Sequence, residues 1–282
     1  MAKQLAGKLN WLEQHLPEGL IVDATWLAKN GYSTALRRQY VTGGWLQQPA
    51  RQVYRRPRGS LNWQQAVISL QTLLKYPLVV GGRTALELQG YAHFLSRTTK
   101  QVHLYGPKPP PQWLNNLPLD ATFVWHNDRK LFRNAALTRG LGSVAWNVAK
   151  GEGKSTDPIH GDFNVKPWGQ WEWPLTLSTP ERAILELLDE LPDAESFDQV
   201  DKLMEGLSTL SPRRLQKLLQ DCKNVKVKRL FFFFADRHQH AWLKRLNKES
   251  IDFGKGKRML VKGGKLDRSY LITVPEALNG VF

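Results

Sequence analysis

The residues best equipped for chemistry in this chain are arginines, and they stand in a stretch without counter-charge. Between Asp23 and Glu87 lie 63 residues with no Asp or Glu, where the chain's average acidic content would place about five or six. Nine basic residues fall in that gap: Lys29, Arg37, Arg38, Arg51, Arg55, Arg56, Arg58, Lys75 and Arg83. Six of them crowd between positions 37 and 58, interleaved with Tyr40, Trp45 and Tyr54. A folded segment of this kind presents a positive field, and the commonest ligand for such a field is a phosphate backbone. The alternative is a solvated basic face with no partner.

Short elements must position these side chains. Leu5, Leu9 and Leu12 predict an amphipathic helix over 3–15, ended by Pro17 and Gly19. Asp23 is a good N-cap for a helix through Lys29, which Asn30-Gly31 closes with a turn. Ser33 caps a third helix, Thr34–Thr42, and Gly43-Gly44 stops it. Two helices around a tight Gly turn make a helix-turn-helix. At 100° per residue, Leu36 and Tyr40 face inward, Thr34 and Arg38 lie opposite, and Arg37 sits at the flank. Ser33, Thr34, Arg37 and Arg38 are therefore the expected DNA-reading residues, because an arginine fork grips guanine O6/N7 or a phosphate in two places. A Gln47–Ala50 turn with Pro49, followed by Arg51–Arg55, reads as a β-hairpin, the wing of a winged helix. Its Arg51, Arg55, Arg56 and Arg58 are expected along the phosphates or in the minor groove. Trp26 and Trp45 are expected in the core of this small unit, which needs large side chains to fill it.

Composition sets the frame. The 282 residues suggest about two domains, and 41% apolar content with 11 Trp and 11 Phe supports true cores. Residues 1–75 carry ten Lys/Arg against three Asp/Glu, a net +7; residues 76–206 carry 13 against 16, a net −3; residues 207–282 carry 17 against six, a net +11. Cys222 is the sole cysteine, so neither an intrachain disulfide nor a cysteine zinc site can form. Met1–Asn10 has no signal-peptide run, and the longest strongly apolar run, Leu230–Ala235, is far too short to cross a bilayer. A cytoplasmic protein with no membrane partner is expected.

The order Trp26-Leu27-Ala28, Tyr40-Val41-x-x-Gly44-Trp45-Leu46 and Val53-Tyr54-Arg55-Arg56-Pro57 resembles the winged helix of AbiEi-type antitoxins. The likeness continues through Val80–Gly90, its most specific block, and Val102–Gly106. It returns at Val227–Phe231, Gly256-Lys257-Arg258 and Leu271–Pro275. The resemblance implies a transcriptional regulator of a type IV toxin–antitoxin (abortive infection, phage defence) system. Its winged helix would bind repeated operator DNA in its own promoter and repress it. Its C-terminal domain would counteract a nucleotidyltransferase-like toxin without forming a stable complex. The expected division is a winged helix over 1–60 and an antitoxin domain over 61–282, with residues 61–77 as a connecting helix. The fold class is then α+β, a mixed α/β chain with a helical C-terminal part.

An enzyme is the rival reading, and it rests on Gly81-Gly82. A Gly-Gly turn between strand (Leu78–Val80) and helix (Ala85–Gly90) is how nucleotidyltransferases hold phosphates, but they also need two carboxylates on the next strand for Mg²⁺. Here that strand is Gln101-Val102-His103-Leu104-Tyr105, without Asp or Glu. Kinship and a merely common strand–turn–helix stay equally open. His160-Gly161-Asp162 lacks the Asn that a kinase loop needs five residues after its Asp, since position 167 is Pro. His238 and His240 have no third metal ligand nearby. No catalytic centre, metal or cofactor is expected.

A third strand is expected over Ala121–His126 and loops over Gly140–Gly142 and Lys150–Gly161. Helices follow from Thr179-Pro180 to Leu191, over 197–206 and over 212–221. Val225–Ala235 and Trp242–Leu246 favour helix over strand, because Val227, Leu230, Phe231 and Phe234 recur at three and four. The basic C-terminal third offers a possible second nucleic-acid surface at Lys226, Lys228, Arg229, Lys257 and Arg258. Its ligand would be more operator DNA or RNA, and solubilising charge is the alternative.

Overall fold

The computed structural model describes residues 2–91, 101–134, 137 and 161–278, with side chains from residue 7 onward. The first six elements run α1 (Ala2–His15), β1 (Ile21–Asp23), α2 (Ala24–Lys29), α3 (Thr34–Thr42), β2 (Gln47–Ala50) and β3 (Val53–Arg55). This is the winged-helix order. β3 lies between β1 and β2, antiparallel to both. Local chemistry explains the helix starts: the Asp23 carboxylate accepts the Trp26 N–H at 2.7 Å, and the Ser33 hydroxyl accepts the Leu36 N–H at 3.2 Å. Leu12, Leu16, Leu20, Leu27, Tyr32, Tyr40 and Val53 fill the core beneath.

Two expectations change here. The hairpin turn is Arg51-Gln52, with Gln52 at φ +65, and Gln47–Ala50 is a strand. Trp45, which follows the Gly43-Gly44 turn, is 51% exposed. Trp11, not Trp45, accompanies Trp26, with ring centroids 5.7 Å apart.

Helix α4 (Trp63–Thr72) opens with a capping box, Asn62 and Gln65 each bonding the other's backbone N–H. Nine of its ten residues are buried, and its polar ones join two sheets. The Ser69 hydroxyl accepts the Ile21 N–H of β1 at 2.9 Å. The Gln71 amide donates to the Thr176 and Leu78 carbonyls and accepts the Thr176 N–H, all within 3.0 Å. Fully bonded buried amides of this kind fix orientation as well as position.

The second sheet has the order β6-β5-β4-β8-β7, from β4 (Val79–Val80), β5 (Gln101–Gly106), β6 (Thr122–Asn127), β7 (Phe163–Trp168) and β8 (Trp173–Ser178). β5/β6 and β4/β8 are parallel; β4/β5 and β7/β8 are antiparallel. Helix α5 (Gly82–Leu88) follows β4, and the short α6 (Asp128–Leu131) follows β6. A helical layer follows: α7 (Pro180–Asp189), α8 (Phe197–Gly206), α9 (Pro212–Asp221) and α10 (Val225–His238). Phe231–Phe234 of α10 are all buried, so this helix runs through the core. A two-stranded ribbon, β9 (Lys265–Asp267) and β10 (Ile272–Val274), packs on it.

The mixed α+β class stands. The β7–β8 hairpin and the β9–β10 ribbon are additions to the expected elements, and Trp242–Leu246 holds only a single 3₁₀ turn, Leu243–Arg245. The expected loops at Gly140–Gly142 and 150–160, and His160 with them, lie outside the described residues.

Candidate nucleic-acid interface

Helix α3 is pinned by Tyr40, which is buried against Tyr32 with centroids 6.1 Å apart. The opposite arc is open. Thr34, Ala35, Arg38, Gln39 and Thr42 are all exposed, and they span about 140° at 100° per residue. Ala35, Gln39 and Thr42 extend the set predicted from sequence, and the same periodicity would have found them. Arginine and glutamine are the side chains that hold guanine and adenine in two places, and Ala or Thr can meet a thymine methyl.

The wing tip and the first turn of α3 converge on Ala24. Its N–H donates to the Gln52 carbonyl at 2.8 Å, and its own carbonyl accepts Arg37 Nη1 at 2.9 Å. Arg51 is therefore exposed at the same end of the domain as α3. Among the described residues, neither Arg38 nor Arg51 has an acidic partner.

The other predicted cations have partners within the domain. Arg37 is a brace: besides Ala24 it donates to Thr34 Oγ1 at 2.8 Å and lies over the Tyr54 ring. Ser33, though exposed, uses its hydroxyl for the helix cap. Arg55 is buried, donating to Gln47 Oε1 at 3.0 Å and the Gly59 carbonyl at 2.6 Å, and burial holds its pKa below the usual arginine value. It sits on the central strand of a three-stranded sheet, which leaves no free edge. Arg56 pairs with Glu18 at 2.9 Å and Glu13 at 3.9 Å, and Arg58 with Glu18 at 3.4 Å. Of the expected wing cations, Arg51 is the one that is exposed with no acidic partner among the described residues. The acid-free stretch is acid-free in sequence, but α1 and the turn after it bring two glutamates to its end.

The second basic surface also changes. Lys228 and Arg229 are each 2% exposed. Arg229 donates to the carbonyls of Phe253, Gly256, Gly254 and Leu271, at 2.7–3.3 Å, and so ties down the Gly254–Gly256 loop. Lys226 Nζ donates to the Asp189 and Leu191 carbonyls at 2.7 Å each. Only Lys257 and Arg258 of that set face solvent. His238 and His240 are held by α8, through Asp201 and the Met204 carbonyl, each at 2.8 Å.

The Gly81-Gly82 turn has its own occupant. The Glu186 carboxylate accepts the Gly82 N–H at 2.9 Å, the Ser178 hydroxyl at 3.0 Å and Arg182 Nε at 2.8 Å. A Cβ on Gly81 would lie 2.3 Å from the Tyr105 ring and 2.4 Å from Glu186. Glycine here serves close packing around an internal anion, and the space a phosphate would need is filled. Burial pushes the Glu186 carboxyl up from its ordinary range, against the opposing pull of Arg182. On β5, His103 bonds His126 at 3.0 Å, and His126 reaches Glu190 at 2.9 Å. Burial, followed by the His126 charge, lowers His103 to about 4, so it is neutral at neutral pH. Among the described residues no group of three or more His, Cys, Asp or Glu could hold a metal ion, and no helix is long and apolar enough to cross a membrane.

Comparison with known proteins places this geometry. The sequence profile of the AbiEi antitoxin N-terminal domain, a transcriptional regulator, matches residues 5–97. The profile of the transcriptional regulator, AbiEi antitoxin, type IV toxin–antitoxin system matches residues 153–275. No curated protein matches the chain. Among solved structures, the crystal structure of RV2827C protein from Mycobacterium tuberculosis is similar: 14% identity, TM-score 0.52, covering 95% of this chain and 90% of that one. That likeness shows a shared fold. The two profile matches together take in most of the chain, which therefore belongs to the AbiEi antitoxin family of type IV toxin–antitoxin transcriptional regulators.

Proposed function

We propose that this chain is an autorepressor that reads operator DNA through α3 and the wing tip, and an antitoxin whose larger domain counteracts a nucleotidyltransferase-like toxin without a stable complex. One observation carries the DNA reading. Arg38 and Arg51 stand exposed at one end of the domain, without acidic partners among the described residues, beside an open arc of Ala35, Gln39 and Thr42. Arg38 and Gln39 read bases, Thr34 and Arg51 hold phosphates, and Arg37 and Arg55 keep the frame rigid. Repeats in the upstream DNA are the expected operator. Exposed Lys257 and Arg258 are the remaining candidates for a further contact with DNA or RNA.

The rival reading, a nucleotide-handling enzyme built on Gly81-Gly82, finds no support in a turn already filled by Glu186. A gel-shift series on DNA upstream of the gene tests the proposal. Wild-type affinity should fall steeply with salt. Arg51→Ala should weaken binding on every duplex and lower the salt slope by about 0.9 for each phosphate the variant leaves unneutralised. A wild-type chain that shifts no upstream DNA at low salt refutes the repressor reading. Incubation with Mg²⁺, nucleoside triphosphates and tRNA should give no transfer.

A further inference from the structure

Two strongly exposed tryptophans flank one segment, Arg56–Ser60, which leaves β3 at the end opposite the wing tip. Trp45 is 51% exposed and Trp171 63%. Beside Trp171 lies a cavity of about 470 Å³, walled by Glu18, Arg58, Trp168 and Trp173. Beside Trp45 lies a second, of about 160 Å³, walled by Glu13, Glu18, Arg56 and Arg58. The Glu18–Arg58 pair, at 3.4 Å, forms the shared wall.

The face is built on firm supports. Trp171 stands in the β7–β8 turn between Gly169 and Glu172, both at positive φ, with Trp168 and Trp173 stacked at 6.2 Å behind it. Gly19, in the turn after α1, meets Trp173 so closely that a Cβ there would lie 3.1 Å from the indole. The winged helix and the hairpin thus present one continuous surface. Rigid tryptophan with arginine is the composition favoured at association surfaces, since both lose little entropy and bury much surface.

Charge decides what covers it. Arg56 and Arg58 share the face with Glu13 and Glu18, and Glu172 neighbours Trp171. A polyanion gains nothing from so balanced a patch, in contrast to the uncompensated Arg38 and Arg51. A contact across a two-fold axis makes use of this balance, because a self-complementary patch can set each copy's acid against the other's base. The Arg58 side chain is 79% exposed and pairs with one carboxylate among the described residues, which leaves further donors to reach across.

We infer that the Trp45–Arg58–Trp171 face is a docking surface for a second copy of this chain. The contact is isologous, with Arg58–glutamate pairs exchanged between protomers at its centre and the tryptophans packed on either side. It leaves α3 and the wing tip uncovered, so it is separate from DNA reading.

The test is sedimentation of the full chain across a concentration series, without DNA. The wild type should show a reversible monomer–dimer equilibrium. Trp171→Ala, an exposed position whose loss leaves the fold and melting temperature intact, should weaken dimerisation at least roughly tenfold. Arg58→Glu and Glu18→Arg should each abolish self-association, while their equimolar mixture should restore a dimer through swapped charges. A wild type that stays monomeric up to about 1 mM overturns the inference. So does a dimer indifferent to Trp171→Ala and Arg58→Glu. Quenching of tryptophan fluorescence by a single-stranded oligonucleotide on a monomeric chain, lost in Trp171→Ala, would also overturn it, giving the face to nucleic acid.

Discussion

The two basic ends of the chain treat their cations in opposite ways. Residues 207–282 carry the larger net charge, +11 against +7 for residues 1–75. Yet α10, their longest helix, commits Lys226 and Arg229 to backbone carbonyls and buries Lys228. Helix α3, with two Lys/Arg against four in α10, leaves Arg38 in open solvent. The difference lies in how much of each helix the core claims. One of nine residues is buried in α3, and nine of fourteen in α10. A helix buried nearly all round has no face left for a ligand, so its cations become fasteners.

The largest effect that could break this contrast belongs to Arg229. Arg229→Ala removes a buried guanidinium together with its hydrogen bonds to four carbonyls and should cost about 3 kcal/mol. Urea unfolding should show the loss, and DNA affinity per folded molecule should not move. A stable variant with weakened DNA binding would reverse the roles assigned to the two ends.

Acid sharpens the contrast from the core side. His103 has a folded pKa of about 4, below its unfolded value near 6.5, so in that interval the unfolded chain binds a proton that the folded chain refuses. Stability should therefore decline as pH falls from about 6.5 to 4, by up to roughly 3 kcal/mol at 1.36 kcal/mol per unit. His103→Gln should remove that component of the pH profile, as thermal melts across the interval would reveal. The smallest effect is at the α2 cap. Asp23→Ala should cost about 1 kcal/mol by loosening the helix against which Arg37 braces α3, a modest drop in melting temperature.

Much of this is legible in the sequence, and the gaps have physical causes. Helices with a side-chain cap or an N-terminal proline announce themselves: Ser33 for α3, Ser211-Pro212 for α9, Pro180 for α7. The β7–β8 hairpin does not, because Pro167, Gly169 and Pro174 break the alternation that marks a strand. β9 and β10 are three residues each, too short to show a period. The exposure of Arg38 is legible because helical spacing fixes direction. The pairing of Arg55, Arg56 and Arg58 is not legible, because nothing local says that Gln47, Glu13 and Glu18 fold back onto them. Trp45 misleads for a related reason: Trp11, Tyr32 and Tyr54 already fill the space a small core offers.

The most direct measurement is the ratio of dissociation constants for a scrambled duplex and for the chain's own upstream DNA, taken by fluorescence anisotropy with wild type and Arg38→Ala. The variant should keep its melting temperature while its ratio drops about tenfold or more, from losing roughly 1–3 kcal/mol of base discrimination. An unchanged ratio would contradict α3 as the reading element.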